Sequence, residues 1–440
     1  MTVDSRTRES AYRYGAVPEA TLGEMFDELF GPGVPLRFSA YDGSTGGSAS
    51  APVGVRVTNP RGVSYMVTSP GSLGMARAYL QGDLEVDGVH PGDPYDLLKL
   101  IDGLRMRRPS PQQAVQWLRT LGVGTLVPPE PPPMEVRPFR RLAQGLRHSA
   151  QRDANAISYH YDVSNAFYEM VLGPSMTYTC ACYPGEEATL EEAQAHKYDL
   201  VARKLGLTPG MRLLDVGCGW GGMVRHAVRH YGVSAVGVTL SREQATWGQR
   251  RIEAEGLAGK AEVRHLDYRH VAERGFDAVS SIGLIEHIGV KNYPAYFRFL
   301  RSRLRPGGRL LNHGITRQDN LHPGLERRGF IGRYVFPDGE LTGSGDMVRA
   351  MEDSGLEVQH HENLRVHYAK TLSAWCDNLV ANWDAAVADA GLPISKVWGL
   401  YMAGSQLGFE MNQIQLHQIL ATRTSDEGES QYPLRHDFGV

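Results

Sequence analysis

Apolar and polar positions follow two different periods along the chain. Residues 34–40 and 53–57 are short, partly alternating runs on either side of the Gly/Ser-rich loop Asp42-Gly-Ser-Thr-Gly-Gly-Ser, the pattern of strands joined by a hairpin. Residues 73–80 and 94–104 carry apolar side chains three and four apart instead, as at Leu97, Leu98, Leu100, Ile101 and Leu104, and predict helices. A small α+β domain follows. Further on, strand and helix patterns alternate. Strands are predicted over 212–216, 235–239, 261–265, 276–282 and 309–313, with helices over 223–231, 244–255 and 293–304 and a turn at Pro306-Gly-Gly308. That alternation implies right-handed crossovers and a mostly parallel, doubly wound Rossmann-like α/β sheet, which binds ligands at the carboxyl ends of its strands near the switch in strand order.

The two patterns meet at Val127-Pro-Pro-Glu-Pro-Pro-Pro133, whose five prolines cannot continue a helix and read as an extended spacer. The 440 residues therefore divide into an α+β domain (1–127), a proline-rich basic linker (128–150), an α/β domain with appended helices (151–421) and a loose tail (422–440). With 42% hydrophobic and 22% charged residues, the chain is globular, and collagen-like, coiled-coil and disordered readings are excluded. No apolar run reaches the roughly 18 residues of a membrane span, and residues 1–20 lack the apolar region of a signal peptide, so a cytoplasmic protein is expected. Cys180, Cys182, Cys218 and Cys376 form no CxxC pair; neither a disulfide framework nor a metal site is expected. The overall charge of −3 conceals residues 101–152, where nine arginines face three acids for a net of +6.

The predicted strand ending in Leu213-Leu-Asp215-Val216 runs into Gly217-Cys-Gly219-Trp-Gly-Gly222 and then a helix, so backbone N–H groups can approach a ligand where that helix begins. The spacing is not the G-x-G-x-x-G of dinucleotide sites, and the next strand ends in Val238-Thr239-Leu240-Ser241 without the ribose-binding carboxylate. Both features favour a smaller adenosyl ligand, S-adenosylmethionine.

From about Ser158 to Ala421 the chain resembles the cyclopropane fatty acid synthase family, including the mycolic acid cyclopropane synthases and relatives that install a mid-chain methylene or methyl branch. The resemblance rests on Tyr159-His-Tyr-Asp-Val-Ser-Asn165, Met176-Thr-Tyr-Thr-Cys180, the glycine loop, Val236-Gly-Val-Thr-Leu-Ser241 with Gln244, and Ser281-Ile-Gly-Leu-Ile-Glu-His-Ile-Gly289. It continues through Asn292-Tyr-Pro-Ala-Tyr-Phe297, Tyr334-Val-Phe-Pro-Asp-Gly-Glu-Leu341, His367-Tyr-Ala-Lys-Thr-Leu372 and Ile414-Gln-Leu-His417. It implies a methyltransferase with S-adenosylmethionine contacts from Tyr178, Thr179, Asp215, Gly217, Gly219, Thr239, Leu240, Gln244, Asp267, Tyr268 and Ile282. It further implies a bicarbonate ion held by Cys180, Glu286, His313, Ile315 and Tyr368. Taken singly, each of those five is an ordinary core residue; as a group, a buried acid and imidazole need partners, and a small anion can serve as a mobile base.

An isolated C=C is a weak nucleophile, so the sulfonium must activate the methyl group, and the carbocation formed on the acyl chain requires a dry pocket lined by aromatic faces. Candidates are Tyr161, Phe167, Tyr293, Phe330, Tyr334, Phe336 and Tyr401. Direct loss of a proton from the added methyl closes a cyclopropane; a hydride shift first leaves a methylene branch. Departures from the family pattern at Phe330, at 318–328 and at Asn312 and Gly314 look closer to methylene-forming relatives, whose product a separate reductase would saturate. The stretch Gly71-Ser-Leu-Gly-Met-Ala-Arg-Ala-Tyr-Leu-Gln-Gly-Asp-Leu-Glu-Val-Asp87 resembles the N-terminal lipid-associated module of phospholipid-acting members. With the +6 stretch, it implies a peripheral enzyme at an anionic membrane face that acts on unsaturated phospholipid chains. A homodimer and no nucleic-acid partner are expected. The competing readings are a catalytically idle lipid-binding protein and a methyltransferase acting on another class such as nucleic acid, the latter requiring a basic, aromatic-studded surface beside the methyl donor.

Overall fold

The computed structural model describes residues 20–136, 163–321, 329–337 and 339–438. They form two compact units. The smaller comprises residues up to Pro70, Arg77–Gly88 and Gly103–Glu130. Its sheet has the order β2-β1-β3-β4, from β1 (Arg37–Ala40), β2 (Thr45–Gly47), β3 (Gly54–Val57) and β4 (Leu84–Asp87). The two runs read as hairpin partners are β1 and β3, which pair in parallel; the Gly/Ser loop between them supplies β2, the antiparallel neighbour of β1. The helix Leu22–Phe30 starts at a capping box of Thr21 and Glu24 and buries Leu22 and Met25 against Val57 and Val63. The helix Pro111–Leu121 lays Trp117 and Leu121 on the same core.

The larger unit comprises Gly71–Ala76, Val89–Asp102 and the chain from Pro131 onward. It is built on a seven-stranded sheet: β5 (Arg212–Val216), β6 (Ser234–Thr239), β7 (Ala261–His265), β8 (Phe276–Ile282), β9 (Leu304–Arg317), β10 (Glu357–Asn363) and β11 (Ile414–Thr422). The order is β10-β11-β9-β8-β5-β6-β7; β5 to β9 pair in parallel, and β11 and β10 add antiparallel pairs at one side. The predicted turn Pro306-Gly-Gly308 is an irregularity inside β9, where the register with β8 shifts between Phe276 and Ala278. The parallel strands are apolar because helices cover both faces. On one face Val279 and Leu310 meet Phe297, Leu300 and Met347; on the other Leu213 and Ala278 meet Val201, Val224 and Ile252. The chain runs outward from β5 through β6 to β7, then returns to place β8 on the opposite flank of β5. That reversal opens a crevice above the carboxyl ends of β5 and β8.

Residues after Ala421 correct the expectation of a loose tail. Tyr432 and Phe438 pack against the core, the Arg309 guanidinium lies 5.0 Å from the Tyr432 ring centre, and Arg305 donates to Gln431 at 3.0 Å. The polar composition of this stretch hid three anchoring side chains. Because Phe297 is fully buried between β8 and the neighbouring helices, Phe297→Ala should lower stability by about 3–5 kcal/mol in a denaturant titration, and Phe297→Leu by clearly less.

Candidate active site

The crevice is a pocket with about 680 Å³ of empty space, part of it open solvent. Its rim is assembled from the ends of four parallel strands: Gly217 and Gly219 after β5, Thr239 and Leu240 at the end of β6, Tyr268 and Arg269 after β7, and Gly283, Leu284 and His287 after β8. The glycine loop is pinned where Gly217 N and Cys218 N both donate to Val238 O, at 2.9 and 3.0 Å. Gly217 (φ 74°) and Gly219 (φ 54°) are left-handed, a conformation that costs glycine nothing. A Cβ on Gly219 would meet no protein atom within 4 Å, so the backbone there is bare toward the pocket. Gln244 is held by its amide oxygen, which accepts from Thr239 Oγ1 at 2.8 Å.

Six of the residues that the resemblance assigned to the methyl donor therefore line this pocket: Gly217, Gly219, Thr239, Leu240, Gln244 and Tyr268. The others stand behind it. Asp267 is clamped by the Arg269 guanidinium (2.6–3.1 Å), so that Arg269 forms the wall; hydrogen bonds from Arg269 hold the carboxyl below its ordinary range despite burial. Asp215 is buried in β5 and accepts from Ser280 Oγ at 2.6 Å; burial pushes it up to about 6. Ile282 belongs to the core. Thr179 abuts Gly283, where an added Cβ would come within 2.7 Å of its methyl group.

Tyr178 lies in an aromatic cluster: its ring is 5.4 Å from Trp375, 5.5 Å from Trp398 and 5.9 Å from Tyr168, and its hydroxyl donates to Tyr401 at 3.1 Å. Tyr401 stands edge-on to Phe336, and Phe336 faces His287 on the pocket wall. Phe167 packs edge-on to Trp398. Phe330 stacks on Tyr334, whose hydroxyl donates to Glu135 at 3.2 Å. Tyr293 sits in the core against Phe297. Tyr161 lies outside the described residues. Trp375, Trp398 and Tyr168 were missed by sequence reasoning; on their own helices they are indistinguishable from core aromatics.

Of the five proposed anion ligands, Glu286 and Ile315 are in direct contact. Ile315 N donates to Glu286 Oε1 at 2.6 Å, while Glu286 Oε2 is buried without a hydrogen-bond partner among the described residues. Burial pushes Glu286 up to about 7. His313 lies two residues before Ile315 on β9; its Nδ1 is 3.1 Å from Gln418 Nε2, and its Nε2 is also buried without a partner among the described residues. Burial, with Lys197 and Lys204 nearby, pushes His313 well below its ordinary value. Cys180 is buried, and its Sγ approaches Leu364 O at 3.9 Å. Leu364 O also accepts from Tyr368 N, and Ala181 N donates to Thr371 on the same helix, Arg365–Ala381. Cys182 Sγ reaches Gln418 Nε2 at 4.0 Å, which brings the cysteine segment to the neighbourhood of His313. Asn312 faces the opposite side, toward Met347, and Gly314 is required because a Cβ there would lie 2.2 Å from Ile285. Packing accounts for Gly314, while Asn312 leaves its Oδ1 buried without a hydrogen-bond partner among the described residues.

Lys197, unremarked in the sequence, is fully buried and donates to Thr179 Oγ1 at 2.8 Å; burial pulls it down to about 8. Its helix looks like any amphipathic helix, so only the tertiary position marks it.

Residues 148–419 match the family described as mycolic acid cyclopropane synthetase. A probable fatty acid methyltransferase of Mycobacterium tuberculosis, Rv3720, is 60% identical over 91% of this chain and 94% of its own length. The cyclopropane-fatty-acyl-phospholipid synthase of Escherichia coli K12 is 32% identical over 87% and 91%. Among solved structures, mycolic acid cyclopropane synthase CmaA1 in complex with SAH and CTAB superposes with a TM-score of 0.57 at 34% identity, covering 61% of this chain and 97% of that one.

The raised Glu286 carboxyl has a thermodynamic signature. Its protonated form is favoured by folding, so the stability it contributes is present below about pH 4.5 and is lost as pH rises to about 7. Melting temperatures of the native protein should therefore fall across that interval relative to Glu286→Gln, measured by calorimetry at matched ionic strength. Sheet order, glycine loop, pocket and sequence matches agree: the chain belongs to the mycolic acid cyclopropane synthetase family of S-adenosylmethionine-dependent methyltransferases.

Proposed function

We propose that the protein transfers a methyl carbon to the cis double bond of an unsaturated acyl chain of membrane phospholipid and yields a methylene-branched product. The observation that carries this reading is the pair of buried atoms Glu286 Oε2 and His313 Nε2, without hydrogen-bond partners among the described residues and close in the fold to the glycine-loop pocket. Two such atoms are costly unless something binds them. Bicarbonate carries both an O–H and acceptor oxygens, which fits that pair, and held by Cys180, Glu286, His313, Ile315 and Tyr368 it would supply a small mobile base. S-Adenosylmethionine, when bound over the glycine loop, supplies an electrophilic methyl group.

The chain's own residues then have three tasks. Tyr178, Trp375, Trp398, Tyr401 and Phe336 exclude water and present ring faces that favour a cation by about 0.5–2 kcal/mol each. Glu286, pushed up to about 7 by burial, is about half protonated at pH 7 and so adds less than a full second charge beside an anion. Gly314 allows β9 to approach Ile285 closely enough to hold the Ile315 amide at the carboxylate. Transfer of a methyl carbon to a fatty acyl chain is supported by the 60% identical relative, which is named a probable fatty acid methyltransferase. A cyclopropane would come from the same groups if the proton left before the hydride shift.

The smaller unit fits a lipid surface. Its stretch Gly103–Val127 exposes Met106, Val115, Val123, Leu126 and Val127 together with Arg105, Arg107, Arg108 and Arg119. The remaining five arginines of the basic stretch lie outside the described residues. Among the described residues no helix is long and apolar enough to cross a membrane, so attachment would be peripheral.

Incubation with methyl-labelled S-adenosylmethionine and monounsaturated phospholipid vesicles, followed by NMR of the released fatty acids, should show an exocyclic methylene; transfer to nucleic acid or no transfer would overturn the proposal. Glu286→Gln should lower turnover at least about 100-fold while leaving the affinity for S-adenosylhomocysteine, measured by calorimetry, within a few-fold. Sedimentation with anionic vesicles should weaken as salt rises from 50 to 500 mM, on the order of 1 kcal/mol being lost for each arginine contact screened, and more steeply for the native protein than for a variant with Arg105, Arg107 and Arg108 changed to Gln.

A further inference from the structure

Behind His313 runs a buried chain of polar side chains that the proposed chemistry does not use. β11 is paired with β9 so that Gln418 stands directly opposite His313. Gln418 is fully buried; its Nε2 lies 3.1 Å from His313 Nδ1 and its Oε1 lies 2.6 Å from Lys204 Nζ. Lys204, from the last turn of the helix Leu190–Leu205, is buried as well and forms an ion pair with Glu362 on β10.

The direction of every proton in this chain follows from donor chemistry. An ammonium paired with a carboxylate has only hydrogens to offer, so the group of Gln418 that faces Lys204 is the carbonyl. The amide NH2 then faces His313 and donates, which requires Nδ1 to be a bare lone pair. A neutral imidazole with a bare Nδ1 carries its hydrogen on Nε2. That nitrogen is the buried atom without a partner among the described residues.

We propose that Lys204 and Gln418 are positioning residues that lock His313 in the Nε2–H tautomer, which makes it a fixed hydrogen-bond donor toward the bound anion and bars it from acting as the base. The proposal rests on the anion-site reading for the identity of what is bound, but not for the tautomer. A second proton at Nδ1 would point at the Gln418 amide hydrogens, so the ring resists becoming an imidazolium. In this arrangement the anion keeps a donor on the His313 side and a carboxyl on the Glu286 side, and the two ends of the site stay chemically distinct. Side chains that orient a metal-ligating histidine through its other ring nitrogen change function by about 10–100-fold when altered, and a comparable effect is expected here.

The test reads the ring nitrogens directly. Protein labelled with 15N-histidine, without acyl substrate, is examined by long-range 1H–15N correlation, and His313→Gln identifies the His313 signals among the 16 histidines of the chain. The expected result is a pyrrole-type Nε2 and a pyridine-type Nδ1. Gln418→Glu places a carboxylate acceptor at Nδ1 and should reverse the two signals, with kcat reduced at least about tenfold and KM for S-adenosylmethionine within about twofold. Lys204→Arg keeps a pure donor and should retain the native tautomer, whereas Lys204→Met should mix the two; this pair serves if Gln418→Glu does not fold. A pyridine-type Nε2 in the native protein, or an unchanged tautomer in both Gln418→Glu and Lys204→Met, overturns the proposal. Because these signals are read without turnover, failure of the acyl-transfer reading would show only in the activity assay.

Discussion

The site depends first on how residues 177–183 are fastened to the helix Leu190–Leu205. Gln194 donates to Thr179 O, Lys197 to Thr179 Oγ1 and Cys182 N to Ala193 O, while Tyr198 and His196 hold Thr177 and Cys182 O. This irregular segment carries Tyr178 toward the aromatic cluster, Thr179 against the end of β8 and Cys180 toward Leu364. Irregular backbone inside a protein must have its polar groups satisfied one by one. Here one helix face does so, and a buried ammonium is part of the cost. Without that fastening, Thr179 would not be held against Gly283 at the end of β8, nor Cys180 beside Leu364.

Much of the larger unit was legible in the chain. Parallel strands buried on both faces leave an unmistakable mark, and β5 and β8 lie where their apolar runs do, because helices cover both sides of the sheet; the edge strand β7 alternates buried and exposed residues instead. The glycine loop was legible for a different reason: backbone that must adopt positive φ and approach a ligand leaves a local record in residue type. β10 left none. Glu357–Asn363 is polar along its length and is a strand only because β11 offers it an edge. The sequence could likewise not reveal that the Gly/Ser loop of the smaller unit turns back as β2, since that depends on what it meets.

The residues that set the character of the site follow the same division. Glu286 and His313 could be picked out through the family pattern, and their burial is a matter of three-dimensional position. Lys204 and Gln418 carry no local signal: one ends an amphipathic helix and the other sits mid-strand, more than 200 residues apart. Their meeting is a product of sheet order. The same holds for Arg269, which takes the wall position in front of Asp267, because a short turn after β7 brings the two side chains together.

The sheet order also has a consequence in time. β11 lies between β9 and β10, yet it follows both of them in the chain. Until Ile414–Thr422 has been synthesised, β10 has no partner, β9 has an open edge, and the imidazole on β9 has no neighbour to orient it. A nascent chain thus contains every strand of the crevice, β5 to β8, before His313 can meet Gln418. The insertion of that one strand ties β9 to β10 and sets Gln418 opposite His313, so two distant parts of the chain become neighbours in a single pairing event.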